Sequence, residues 1–156
     1  MSKKAQAWGF DVIIATGIFL FGMTAFFLYT INYPGEEQQK LEDLLYEGDL
    51  LASSLLSPGS PENWTAQLVS KIGLLSNNVL DQNKLEQFYN LQYPLTKSLF
   101  GIKYNYFINS SQPLEISGAG IAGIGIIPEN SKNNIKISRV TIYKNKPITL
   151  EIQLWE

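Results

Sequence analysis

The sequence contains neither cysteine nor histidine. The absence of cysteine excludes disulfides, thiolate metal sites and cysteine nucleophiles, and the absence of histidine removes the most common general base. Lysine and arginine total 12 against 14 aspartates and glutamates, so there is no basic excess of the kind that indicates nucleic-acid binding. We therefore expect no catalytic activity, no cofactor, no metal ion and no nucleic-acid partner.

Charge is also absent from a long apolar segment near the N-terminus, Val12 to Ile31. A helix of about 20 residues crosses the ~30 Å hydrocarbon layer of a membrane. No small-x-small cleavage site follows the segment, and a domain of this size cannot enclose a helix that is apolar all round. These features favour a membrane helix over a cleaved secretory signal or a buried helix. Lys3 and Lys4 precede it, which predicts a cytoplasmic N-terminus and an exported C-terminal part.

Residues at the two ends of the apolar segment fit this interpretation. Trp8 lies before it, and Tyr29 and Tyr33 lie at its end, as aromatic residues do at membrane interfaces. The pair Pro34-Gly35 is predicted to end the helix.

The segment KKAQAWGFDVIIA places two lysines, a small residue and a glutamine directly before the apolar helix. It resembles the class III signal peptide of archaeal type IV pilins and archaellins. In that family a prepilin peptidase cuts between the basic leader and the helix, and the matching bond here joins Ala5 and Gln6. The resemblance implies a leader at residues 1–5, a transmembrane and filament-core helix at 6–33, and an extracytoplasmic head at 34–156.

Asp11 is the acid that precedes the apolar helix. The resemblance implies that it pairs with the α-amine of a neighbouring subunit, because a carboxylate at the edge of an apolar helix is costly unless paired. It is Asp where Glu is usual and lies one residue further from Gln6, and Ala5 stands where Gly is usual. The alternative is an acid placed at a helix N-terminus by the helix dipole.

The head is predicted to begin with helices. An amphipathic helix follows Gly35 and ends before Pro58, with leucines at helical spacing. Asp81 is predicted to cap a second helix, and a third begins at Pro94 and ends at Gly101. The residues expected on the apolar faces of these three helices are Leu41, Leu44, Leu45, Leu51, Leu55, Leu85, Phe88, Tyr89, Leu95, Leu99 and Phe100.

The pattern changes to alternation after Gly101, which predicts antiparallel strands. A change of phase between Ile137 and Val140 predicts a bulge near Ser138-Arg139. A turn is predicted at residues 144–146, before a last strand that carries alternating apolar residues. The predicted fold class is α+β: a long apolar N-terminal helix, amphipathic helices and a small C-terminal antiparallel β-sheet, which is similar to a pilin in layout.

Two further motifs concern chemistry. Residues 118–123 match G-x-G-x-x-G, but Ile-Gly-Ile-Ile-Pro follows where a dinucleotide site needs a helix. We expect an apolar loop or a glycine-rich strand there instead. Asn63 and Asn109 each begin an N-x-S/T sequon, so both are candidate N-glycosylation sites if the head is exported, with chance occurrence as the alternative.

The hypothesis that joins these observations is a structural subunit, major or minor, of an archaeal type IV pilus-like surface filament. Its expected partners are the membrane, a prepilin peptidase and other pilins, in homo- or hetero-oligomers. It would be a single-pass membrane protein with a cytoplasmic N-terminus before assembly and part of an extracellular filament afterwards. The alternative is an uncleaved single-pass membrane protein whose outer domain binds a ligand or partner.

Overall fold

The structure is a computed structural model that describes residues 3–32, 35–129, 131 and 133–156. Tyr33 and Pro34, to which the sequence assigns a membrane interface and a helix end, lie outside the described residues. The chain divides into two compact units, Met1–Gln39 and Lys40–Glu156. The division into leader, helix and head is a functional one and stays a prediction.

The helices are α1 (Lys3–Asn32), α2 (Glu36–Leu55), α3 (Gln82–Tyr89) and α4 (Tyr93–Phe100). The strands are β1 (Leu75–Ser76), β2 (Val79–Leu80), β3 (Asn105–Ser110), β4 (Leu114–Ile116), β5 (Ala119–Ile121), β6 (Ile124–Gly125), β7 (Asn134–Tyr143) and β8 (Lys146–Trp155). The predicted α+β class is confirmed: a long apolar N-terminal helix is followed by shorter helices and a sheet, with the β1–β2 hairpin lying between α2 and α3.

Six strands form one sheet in the order β1-β2-β7-β8-β3-β6, and β4 and β5 form a separate hairpin. The sheet is mixed rather than purely antiparallel, because β2 runs parallel to β7 at Val79 and Ile142. The β1–β2 hairpin was not predicted, although its turn, Asn77-Asn78, has φ values of 51° and 62° that Asn tolerates better than most residues.

One face of α2 packs on the sheet. Leu44, Leu51 and Leu55 are fully buried, which confirms part of the predicted stripe, whereas Leu41 and Leu45 are 46% and 47% exposed. The helix approaches the sheet closely at Gly48, where a Cβ atom would lie 2.5 Å from the side chain of Ile137. The sheet therefore covers three of the five leucines on the apolar face of α2 and leaves Leu41 and Leu45 exposed.

Local signals set the ends of α3 and α4. The side chain of Asp81 accepts hydrogen bonds from the backbone N–H groups of Asn83 and Lys84, which confirms the predicted cap. Pro94 lies in the first turn of α4, and Gly101 ends this helix in the left-handed conformation, φ 70°. Leu85, Phe88 and Phe100 are buried as predicted, whereas Tyr89 and Leu95 are exposed and Leu99 is half-buried.

The predicted bulge at Ser138-Arg139 is wrong. β7 pairs with β8 without interruption from Asn134 to Tyr143, and Ser138 and Arg139 face Glu151 and Leu150 in regular register. The second face of β7 carries Val140 and Ile142, which are 72% and 44% exposed. The apparent phase change therefore reflects apolar residues on the outer face, while Thr141 and Tyr143 continue the buried face.

The two-residue turn Lys144-Asn145 joins β7 and β8, with φ values of 49° and 62°, and confirms the predicted hairpin. In β8 the predicted apolar face is confirmed, since Ile148, Leu150, Ile152 and Leu154 are all buried. The core thus lies between this sheet face and the helices α2, α3 and α4.

Candidate functional site

The described apolar residues of α1 are exposed. Its apolar window is entirely unburied, and large side chains such as Ile13, Phe21 and Phe26 are 70%, 78% and 71% exposed. The apolar residues surround the helix rather than forming one stripe. By length and composition, α1 is able to cross a membrane. An apolar surface of this kind gains free energy when lipid or other apolar groups cover it.

The polar side chains within this segment are satisfied inside the helix itself. The hydroxyls of Thr16, Thr24 and Thr30 donate to carbonyl oxygens four residues earlier at 2.8–2.9 Å, and the amide of Asn32 does the same at 2.8 Å. Each of the three hydroxyls and one N–H of the Asn32 amide therefore has an acceptor within the helix, which suits an apolar environment.

The residues assigned to processing and pairing lie near the start of α1. Ala5 and Gln6 are in its first two turns, and the side chain of Asp11 is exposed. Asp11 shares one helix face with small and large residues at alternating spacings of four and three. The members of this face are Asp11, Ala15, Ile18, Gly22, Ala25 and Tyr29. Nothing lies within 4 Å of where a Cβ atom of Gly22 would be, so another chain has room to approach.

An uncharged cleft of about 290 Å³ lies in the head between α3, α4 and β6. Tyr93 and Tyr106 stack at its wall, with ring centroids 4.9 Å apart. The Tyr93 hydroxyl accepts the backbone N–H of Tyr106 at 2.9 Å, and the Tyr106 hydroxyl lies 2.5 Å from that of Thr96. Burial raises the pKa of both tyrosine hydroxyls.

The glycine-rich segment forms strands and tight turns around this cleft, as predicted. Ser117-Gly118 makes the β4–β5 turn, and β6 then pairs with β3. Cβ atoms at Gly123 and Gly125 would lie 2.5 Å and 2.3 Å from carbonyl oxygens of β3. In the part of the chain that the structure describes no helix follows, so the segment lacks the strand-to-helix context of a dinucleotide site.

A second cleft, about 210 Å³, lies at the start of α3 and is lined mostly by polar residues, Asn63 among them. Buried Lys84 forms part of its wall and donates to the carbonyl oxygens of Pro58 and Leu75 at 2.9 Å and 2.8 Å. The ammonium therefore joins two loop segments to α3 through main-chain atoms.

The two sequons differ in their surroundings. Asn63 is exposed in a turn, whereas Asn109 is half-buried within β3, opposite Glu151 of β8. The ammonium of Lys136, 2.8 Å away, and the side chain of Asn109 lower the pKa of the Glu151 carboxyl. The sequence motif alone carries no sign of this difference.

Among the described residues, no group of three or more acidic side chains is arranged to hold a metal ion. No protein-family model, curated protein or solved structure matches the chain.

Proposed function

We propose that this chain is a subunit of a type IV pilus-like surface filament. It is held in the membrane by α1 before assembly and is processed between Ala5 and Gln6. The observation that carries the proposal is α1 itself, whose apolar surface is exposed on every side. An anchor needs this surface for lipid alone, whereas a filament subunit uses it twice, first in lipid and then against identical helices.

The Asp11 face of α1 supports packing against other helices. Alternating spacings of four and three residues bring Asp11, Ala15, Gly22 and Ala25 onto one seam, and small residues let helix backbones approach. Asp11 at the cytoplasmic end of this seam would lie beside the new α-amine at Gln6 of a neighbour. The opposite charges would fix the axial position of one helix against the next.

The head supports the proposal by its independent core. Among the described residues, the members of its buried cluster all lie within Lys40–Glu156. A subunit can therefore keep its head folded while α1 changes from lipid to a filament core. Surface ion pairs such as Arg139–Asp49 at 2.7 Å and Lys40–Glu156 at 3.1 Å tie α2 to the sheet and the C-terminus.

Cleavage of the leader is the first test. The full chain is co-expressed with a prepilin peptidase, and the N-terminus is read by intact mass and sequencing. We expect loss of residues 1–5 and a new N-terminus at Gln6, and no loss with a catalytically inactive peptidase. An uncut chain in the presence of the active enzyme contradicts the proposal.

Pairing by Asp11 is tested separately. Asp11→Ala should abolish filament assembly and leave membrane insertion unchanged, and Asp11→Glu should retain assembly because it keeps the charge. If Asp11→Ala forms filaments normally, Asp11 does not pair subunits, and its interpretation as an acid favoured by the helix dipole stands instead.

The uncharged cleft favours a second candidate function. Exposed Tyr89 and Ile126, with the stacked pair Tyr93 and Tyr106, line a concavity at an edge strand. Such a site suits an uncleaved membrane protein whose outer domain binds a partner. The same processing experiment separates the two, because this candidate keeps Met1 to Ala5.

A further inference from the structure

We infer that Asn63 is an N-glycan acceptor, that Asn109 in the folded protein is not, and that the first sugar on Asn63 lies in the polar cleft beside it. The inference deepens the proposed function and rests on export of the head, since N-linked sugars are added outside the cytoplasm.

Asn63 meets the requirements of an acceptor. Its side chain is exposed and forms no hydrogen bond within the described part of the chain. The middle residue of the sequon, Trp64, is buried, and its ring N–H donates to the carbonyl oxygen of Gly73 at 2.8 Å. Thr65 is again exposed. A fixed tryptophan therefore holds the loop while the acceptor amide and the hydroxyl of the sequon both face solvent.

Asn109 is enclosed within the sheet. Its Oδ1 atom is buried and has no hydrogen-bond partner among the described residues, and its side chain lies beside the Glu151 carboxylate, whose pKa it helps to lower. The hydroxyl of Ser111 in the same sequon accepts the backbone N–H of Thr149 at 3.0 Å, and the Ser111 N–H donates back to Thr149 at 2.9 Å. Access to this sequon requires separation of β3 from β8, which carries the most buried side chains of the sheet.

The cleft provides the contacts for a sugar. Asn83, in the first turn of α3, is exposed, and its carboxamide has no partner among the residues that the structure describes. Gln87 uses its Oε1 atom to accept the N–H of Ala66 at 3.0 Å, which leaves its amide N–H groups to donate. Neutral amides of this kind hydrogen-bond to hydroxyl groups, and at about 210 Å³ the cleft suits a single sugar ring better than a larger ligand.

The modification is a group transfer from a polyprenyl-linked saccharide by an oligosaccharyltransferase. The bond between C1 of the first sugar and the phosphate oxygen of the carrier breaks, and a bond between Asn63 Nδ2 and C1 forms. The amide loses one proton, and the lipid phosphate leaves with the electron pair of the broken bond. No oxidation or reduction takes place.

Site occupancy is tested on the full chain, expressed in a glycosylating host and extracted from membranes as folded, protease-resistant protein. Glycopeptide mass spectrometry should find sugar on Asn63 and none on Asn109, and Asn63→Gln and Thr65→Ala should each remove it. Sugar on Asn109 in the folded fraction overturns the inference.

A control sequon shows whether an absence of sugar on Asn63 results from the Asn63 site itself or from failure to export the head. Pro147→Thr makes the exposed turn residue Asn145 an acceptor. Sugar on Asn145 with none on Asn63 overturns the inference and leaves export intact. Sugar on neither residue overturns both the inference and the exported location of the head.

Seating in the cleft is tested by release of the glycan from the folded protein with an endoglycosidase. Loss of one hydrogen bond of ordinary strength should speed release about fivefold in Asn83→Ala or Gln87→Ala. Gln67→Ala, on the same loop and outside the cleft, is the matched control. Equal release rates in all variants would overturn the seating.

Discussion

Charged side chains inside the head are held by main-chain atoms more than by opposite charges. Buried Glu47 accepts the backbone N–H groups of Lys103 and Tyr104 at 2.9 Å and 3.2 Å, and buried Lys84 donates to two carbonyl oxygens. Hydrogen bonds to a charged group stabilise a fold by about 1.5–3 kcal/mol, and loss of the charged partner leaves buried groups unpaired. These two residues therefore connect α2 and α3 to loops that lack regular structure.

Asp81 makes the stability of the head depend on pH. Burial alone would raise the pKa of its carboxyl, but hydrogen bonds from the Lys84 N–H, the Ser76 side chain and the Asn83 N–H, with the Lys84 charge, bring that pKa below its usual value. The unfolded carboxyl, with a pKa of about 3.9, then binds a proton more readily than the folded one. The stabilisation is fully present above this value and is lost as the pH falls through the folded pKa.

We expect Asp81→Ala to lower the free energy of unfolding by about 1 kcal/mol at pH 7, as loss of a helix N-cap does. Asp81→Asn keeps a capping oxygen without a titrating charge, so it should lower the free energy of unfolding at pH 7 by less than Asp81→Ala does. Below about pH 4 the unsubstituted chain should lose the contribution of the Asp81 charge, whereas Asp81→Asn has no such contribution to lose. Urea unfolding of the three proteins at pH 7 and pH 3 measures this. Equal pH dependence of Asp81→Asn and the unsubstituted chain would contradict it.

At the scale of elements, β6 depends on glycine for its place at the sheet edge. Gly125 has φ 113°, and a Cβ atom there would lie 2.3 Å from the carbonyl oxygen of Tyr106. The N–H of Ile126 donates to that same oxygen at 3.0 Å. Any side chain at residue 125 would therefore both strain the backbone and separate β6 from β3.

The matched comparison is Gly118, which has φ 84° and open space around its Cβ position. Gly118→Ala should cost about 1–2 kcal/mol from backbone strain alone. Gly125→Ala should cost more, because the steric contact with β3 adds to the strain. Denaturant unfolding measures both variants, and equal losses would show that the close approach of β6 to β3 contributes nothing.

At the scale of the whole molecule, the uncharged segment of α1 is long and apolar enough to cross a membrane, and a charge placed in it tests whether it does. Phe21 lies near the middle of the apolar segment and Ile31 at its end. An arginine at the centre of a membrane helix costs about 2.5–3.5 kcal/mol in insertion experiments, and one near the end extends to the interface.

Phe21→Arg should therefore reduce the fraction of chain that resists alkaline extraction from membranes, and Ile31→Arg should reduce it less. Protease sensitivity of the detergent-solubilised head serves as a folding control for both. Undiminished insertion of Phe21→Arg would show that α1 is not the membrane-spanning element.

Local signals in the sequence determined the ends of several elements. Asp81 before α3, Pro94 and Gly101 around α4, and the turn Lys144-Asn145 act through backbone atoms within a few residues. A hydrogen bond to the next turn or a left-handed φ does not depend on the rest of the fold, so these predictions were correct. The same holds for the apolar character of α1, which follows from composition alone.

Only the tertiary structure decided which apolar residues are buried. Val140 and Ile142 lie on the outer face of an uninterrupted strand, and Leu41 and Leu45 lie outside the strip of α2 that the sheet covers. The parallel contact of β2 with β7 joins segments far apart in the chain. The hydrophobicity of a residue predicts that its burial lowers the free energy of the folded chain. Which partner covers it depends on strands and helices brought together from distant parts of the sequence. The two sequons differ for the same reason. The pairing of β3 with β8 encloses Asn109, whereas Asn63 lies in an exposed turn outside the sheet.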